Sequence, residues 1–457
     1  MDVPKIMRRN RLVGMAASFS GALSRSVWSG DVFSAFLYLV SGSSTHVGVV
    51  MGLRGMSQLL LAPCFGYVAD TRSREAALRA GALLGVIGAI LTSLAAHMRS
   101  AVGMCLSQLV WGAHWAAANP SADAVFADSI FAGSRSSWFT AKYQLIQLAG
   151  VCGPAISIVV FSVHANDMWR LRTCVLVLDI GCALALIPNA LILALVDVRG
   201  GCDARETRGP LTAALLDESN RAAPAAAAIA PPPAPGGARA PATRCCGGRL
   251  VAAPALVLLY DVISALAAGL VIRFFPIFFM RDLALSPVAV STISIGALAT
   301  TAAFGSAAHA LAAVAGRVPV AFSFRLAGVC SFVAMAALAG ASAPRAPVIA
   351  AYLVRMGLIN STFGITKSII HDLVPPSHRA RYASIDSINQ AAWAGSAALG
   401  GLVIDRYGMV ANFYVTASAQ LVALVPIALA RALVPDERAP GPVGLTGRVP
   451  AAPAAPR

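Results

Sequence analysis

The sequence predicts an all-α membrane protein of twelve transmembrane helices, arranged as two six-helix pseudo-symmetric bundles. Three observations carry that prediction. The 457 residues are 58% hydrophobic and 12% charged, with mean hydropathy +0.73, whereas soluble domains carry about 25% charged residues. The apolar runs fall into six, one long connection, and six more. A short motif at the end of the fourth run recurs at the end of the tenth, where a duplicated half would place it.

The elements follow in order. Residues 1–11 are basic and lead into the first apolar run without a small-residue cleavage site, so the run is expected to be retained as a span. The first-half runs are 12–40, 47–69, 76–96, 101–126, 143–163 and 174–196, each near the ~20 residues that cross a bilayer. Residues 198–249 form the long connection, whose core from Pro224 is rich in Pro and Ala and is expected to be a disordered linker. The second-half runs are 252–280, 288–315, 318–341, 347–370, 385–403 and 410–432. The eleventh is the weakest by hydropathy. The expected units are a cytoplasmic N-terminus (1–11), an N-terminal bundle (12–197), the cytoplasmic linker, a C-terminal bundle (250–433) and a disordered cytoplasmic tail (434–457).

Charge sets the orientation. Lys5, Arg8, Arg9, Arg11, Arg72, Arg74, Arg79, Arg135, Lys142, Arg317, Arg379 and Arg381 collect on one side, with the linker and both termini. The excess of basic residues assigns that side to the cytoplasm. The net charge of +15 follows from this topology and does not call for nucleic acid. The nine cysteines are mostly scattered singly inside spans and show no metal-ligand spacing. No metal or cofactor is expected. No Walker-type loop or Ser/His/Asp arrangement points to an enzyme.

Two motifs stand at the cytoplasmic ends. The link between the second and third spans reads Gly66-Tyr-Val-Ala-Asp70-Thr71-Arg-Ser73-Arg74-Glu75. The fourth and tenth spans end in Asp128-x6-Arg135-x2-Trp138 and Asp372-x6-Arg379-x2-Tyr382. Small-residue runs follow, with Gly150, Gly153 and Pro154 in the fifth span and Gly395, Gly400 and Gly401 in the eleventh. These permit close helix packing.

On these residues the chain resembles the major facilitator superfamily over nearly its whole length. The resemblance implies that Asp70 caps the eleventh helix and that Arg74 pairs with Asp128 in a cytoplasmic gate that also includes Gly66, Arg135, Asp372 and Arg379. It further implies that the first, fourth, seventh and tenth helices line a central cavity, worked by rocker-switch alternating access. The departures are Thr71, Ser73 and Glu75 in the loop. In the fourth span, Gln108-Leu-Val-Trp111-Gly112 lacks the arginine of proton-driven exporters.

Ionisable groups at bilayer depth need a partner or an aqueous cavity. Here they are Arg25, Asp31, Arg54, His114, Asp179, Asp261, Arg273, His309, Arg355 and Lys367. Each is open to three readings: a structural pair, a gate, or a substrate contact. Asp179 and His309 lie off the cavity helices and are read as structural. Registering the first hairpin on the seventh and eighth spans brings Asp31 within a residue of Arg273, as an outer-gate pair. The expected substrate-cavity set is Arg25, Trp28, Arg54, Gln108, Trp111, Trp115, Asn119, Asp261, Arg355 and Asn360. The cationic balance of Arg25, Arg54 and Arg355 suits a small organic or inorganic anion. The tryptophans are equally compatible with an apolar core.

The expected function is secondary active or facilitative transport of such a solute by a monomer in the lipid bilayer. A proton or sodium ion is the expected coupling partner if flux is driven. The alternatives are a transporter-like receptor or scaffold without flux, with Cys245-Cys246 as palmitoylation sites, and a proton-coupled multidrug-type exporter.

Overall fold

The computed structural model describes residues 3–130, 135–164, 168–198, 247–366 and 379–431. The expectations at Lys367 and Asp372, in most of the linker, at Cys245 and Cys246 and in the tail fall outside these residues, as do the side chains of Asp70, Arg135 and Arg379.

Among the described residues every element is a helix. The N-terminal half holds α1 (Val3–Trp28), α2 (Asp31–Ser41), α3 (Ser44–Thr71), α4 (Arg74–His97), α5 (Ala101–Asp128), α6 (Arg135–His164) and α7 (Leu171–Leu193). The C-terminal half holds α8 (Gly247–Gly269), α9 (Phe275–Arg281), α10 (Pro287–Ala315), α11 (Arg317–Gly340), α12 (Arg345–Ser361), α13 (Arg379–Tyr407) and α14 (Met409–Arg431). Eight of them are long and apolar enough to cross a membrane: α3, α4, α6, α7, α10, α11, α12 and α14. The chain is thus an integral, multi-pass membrane protein. The first and seventh spans are broken into shorter helices, and the apolar part of the seventh before its break, Ala255–Gly269, falls short in length. Serines start several helices. Ser43, Ser73, Ser100 and Ser286 each accept the backbone N–H three residues on, which satisfies one of the orphan donors of a first turn.

Two expected spans are broken. The first stops at Trp28 and restarts at Asp31; the seventh stops at Gly269 and restarts at Phe275. The cause of the second break is Pro276 in the first turn of α9, since proline cannot continue a helix from upstream but suits a helix start. At the first break Gly30 precedes Asp31, whose carboxylate favours a helix N-terminus. The 11 residues of α2 rise about 16 Å, half the ~30 Å hydrocarbon thickness. The break therefore lies near mid-membrane. α1 also begins at Val3, so Lys5, Arg8, Arg9 and Arg11 lie in its first turns.

The halves meet along α3 and α13. A Cβ on Gly48 would collide with the Ala397 carbonyl, and one on Gly401 with the Ser44 carbonyl, so glycine is required where the two backbones touch. One large apolar core runs through both halves, and each half adds a smaller cluster of its own. Around α9, Phe275, Phe278 and Phe279 pack with Phe332, Tyr352 and Phe413.

Candidate functional site

Unpaired backbone at membrane depth must find partners inside the protein, and both breaks find them in side chains around them. Ser29 is held twice. Arg54 Nη1 donates to its hydroxyl (2.8 Å) and Arg273 Nη1 donates to its carbonyl (3.1 Å). Arg273 comes from the second break, so one break of the N-terminal half is bonded directly to that of the C-terminal half. At the second break, Asn412 Nδ2 donates to the Leu270 carbonyl (2.9 Å).

The expected gate pair is not a direct contact here. Asp31 accepts a hydrogen bond from Ser294 on α10, while Arg273 bonds Ser29 and lies over the Trp393 ring at 4.7 Å. The two charges interact only at longer range. The register that aligned them holds in sequence, but the bent backbone at each break turns the guanidinium to a carbonyl two residues before Asp31.

On the face opposite the start of α1, which we term the far face, the halves are joined by Asp405 at the end of α13. Its carboxylate accepts from Ser44 N–H (2.8 Å), Thr45 N–H (2.8 Å) and Ser43 Oγ (2.7 Å) at the start of α3. Partial burial would raise its carboxyl, but the bonds from Thr45, Ser43 and Ser44 outweigh this and hold it down at about 2. Trp169 Nε1 donates to the Leu285 carbonyl (2.8 Å) and Arg281 reaches Tyr38 Oη (3.3 Å), adding two more links on the same face.

Below this closure lies a cavity of about 440 Å³ between the halves. Its walls come from α1, α2 and α6 on one side and from α9, α10, α11 and α12 on the other. Asp31 and Asn360 line it, together with Tyr143, Gln147, Tyr352 and Arg325. Arg325 was not anticipated. It lies on the ninth span, outside the helices assigned to the cavity by resemblance, yet it meets the same test of charge at bilayer depth that singled out the others.

A second cavity of about 240 Å³ lies within the N-terminal half and is lined by Arg25, Trp28, Trp111, His114, Trp115 and Asn119. Trp28 stacks on Trp111 at 4.5 Å, and the Trp115 ring lies between Arg25 (5.6 Å) and Arg54 (4.5 Å). At its end Lys142 pairs with Asp123. The expected cavity set is therefore divided. Arg54 and Arg355 line neither cavity, being 2% exposed each; Arg355 sits over the Phe332 and Phe275 rings at 4.4 and 5.0 Å. Gln108 is fully buried with both side-chain polar atoms unbonded. Asp261 is half-buried on α8 and lines neither cavity. Asp179 accepts from Ser93 Oγ (2.6 Å) and stands 3.5 Å from His97.

At the face where α1 begins, Arg74 pairs with Asp128 and stands 3.5 Å from Asp197. Glu75 accepts the Asp197 N–H (3.2 Å). These contacts bind the start of α4 to the ends of α5 and α7 within one half. A Cβ on Gly66 would meet open space.

Among solved structures the chain is similar to a D-xylose–proton symporter, with TM-score 0.67 at 13% identity over 93% of this chain and 96% of that one. A bacterial homologue of the iron transporter ferroportin in the inward-facing state matches with TM-score 0.65 at 12% identity, over 94% and 99% of the two chains. A bacterial ferroportin homologue in the outward-facing state matches with TM-score 0.56 at 11% identity, over 94% and 100%. No protein-family model and no curated protein matches the sequence.

Proposed function

We propose that this chain, which has the major facilitator fold, is a secondary or facilitative transporter that carries a small solute through the cavity between its halves. The observation that supports this is the 440 Å³ cavity at mid-membrane, capped on one side by contacts that join the halves and can be broken without unfolding either. The far-face closure and the better match to an inward-facing relative support a reading in which the cavity faces the side of the termini. The excess of basic residues there makes that side cytoplasmic. On this reading the Arg74–Asp128–Asp197 cluster stiffens the cytoplasmic ends of α4, α5 and α7, and Asp70 belongs to a latch that forms when that side closes.

The solute carries an anionic group. Of the three arginines behind that expectation, Arg54 and Arg355 are buried and Arg25 faces the smaller cavity. The cation offered by the larger cavity is Arg325, whose guanidinium fork suits a carboxylate or phosphate. Reconstituted into liposomes, the protein is expected to take up an anion-bearing solute saturably. Imposed proton or sodium gradients separate driven from facilitated flux. Uptake confined to uncharged sugars or simple cations would overturn the anionic assignment. No flux of any solute would overturn transport in favour of a receptor or scaffold.

A further inference from the structure

The larger cavity holds two charged side chains among its described lining, and they have opposite signs. Asp31 opens α2 in the N-terminal half, and Arg325 lies on α11 in the C-terminal half. Neither has an ion-pair partner within 4.0 Å among the described residues. Asp31 uses one oxygen, Oδ2, to accept from Ser294. Arg325 uses one N–H, donating from Nε to Thr362 Oγ1 (2.6 Å), and lies over the Tyr260 ring at 5.5 Å. Its two terminal nitrogens have no protein acceptor among the described residues, and neither they nor the second Asp31 oxygen is fully buried. Arg273 is in Coulombic reach of Asp31 but donates to the Ser29 carbonyl and lies over the Trp393 ring.

A charge without a contacting ion pair at bilayer depth is costly, and two of opposite sign in one cavity call for a ligand that answers both. The space between them is apolar and neutral-polar, with Phe275, Phe279, Tyr352 and Asn360. We propose that this cavity is a zwitterion site, taking a cationic group such as an ammonium at Asp31 and the anionic group at Arg325, with an uncharged linker between. This rests on the transport reading for the choice of cavity, but its test reads binding independently of flux.

The full chain, purified in detergent, is titrated with glycine, β-alanine, γ-aminobutyrate and ε-aminocaproate, and with the matched singly charged compounds acetate, methylamine, propionate, ethylamine, butyrate, butylamine, caproate and hexylamine. The readout is ligand-induced thermal stabilisation. At least one amino acid is expected to bind about tenfold or more tightly than its own carboxylate and its own amine, since each charged hydrogen-bonding contact is worth about a factor of ten. Asp31→Asn is expected to erase the advantage over the carboxylate, and Arg325→Gln the advantage over the amine. Asp31→Glu and Arg325→Lys keep the charges and retain the preference, which separates lost recognition from lost folding. Binding of no amino acid in the series, or of the singly charged compounds equally well, would overturn the proposal. Zwitterion binding without liposome flux would overturn transport and leave this site standing. Flux of simple carboxylates with no zwitterion preference would do the reverse.

Discussion

Asp405 accepts its hydrogen bonds from the first turn of α3, where N–H groups have no partner within their own helix. A carboxylate there also meets the positive end of the helix dipole. Its carboxyl is held at about 2, below the ordinary value of about 3.9. A depressed value stabilises the joined state above the ordinary value and is lost as pH falls through the lowered one. The contact is thus fully present from about pH 5 upward and fades between about pH 4 and pH 2. Asp405→Ala is expected to cost about 0.5–1 kcal/mol, the low end for a capping group because the side chain is exposed. Thermal melts should show a constant gap between variant and parent from pH 8 to pH 5 that narrows only near pH 3; a gap that changes near neutrality would place the titrating group elsewhere. The acid was visible in the sequence, but its partner was not, because Ser44 stands 361 positions away in the other half. Arg325 was missed for a different reason. The rule that found Arg273 and Arg355 applies to it equally, since it lies eight residues into an apolar span, yet it was not among the charges singled out.

At the scale of the element, the breaks in the first and seventh spans are the feature that hydropathy does not report. The charged and small residues around Ser29–Gly30 and Arg273 are too few to end an apolar run in a hydropathy count, so span counting passes over both breaks. Pro276 was the local sign of the second, and Gly30 before Asp31 a weaker sign of the first. What no single sequence supplies is the partner that makes each break tolerable. Asn412 is fully buried and its amide satisfies the Leu270 carbonyl at 2.9 Å. Asn412→Ala leaves that carbonyl unpaired in a dry interior and is expected to destabilise the fold by about 1–3 kcal/mol. The check is a lowered unfolding midpoint of the purified protein. A variant as stable as the parent would mean that another group, or water, holds the broken turn.

For the whole molecule, the proposed transport would require that the far face open and close while each half stays folded, so the closing contacts would have to be weak individually and dense collectively. The α3–α13 seam meets this requirement through close packing. Gly48 and Gly401 bring backbone against backbone across the halves, and a side chain at either would strike a carbonyl of the opposite helix. Gly401→Leu therefore penalises only the closed far face, because the opposing helix moves away on opening. Overpacking of this kind costs about 1–3 kcal/mol, which shifts the closed-to-open ratio about fivefold to a hundredfold. Spin labels at Met98→Cys and Ala341→Cys, both exposed at the far ends of α4 and α11, report the separation of the halves. The distance distribution of the Gly401→Leu protein should gain a longer population at the expense of the shorter one, with the unfolding midpoint little changed. Gly66, which faces open space, supplies the control, since Gly66→Ala should leave the distribution as it was. If Gly401→Leu also leaves it unchanged, the seam is static packing and the halves do not part there.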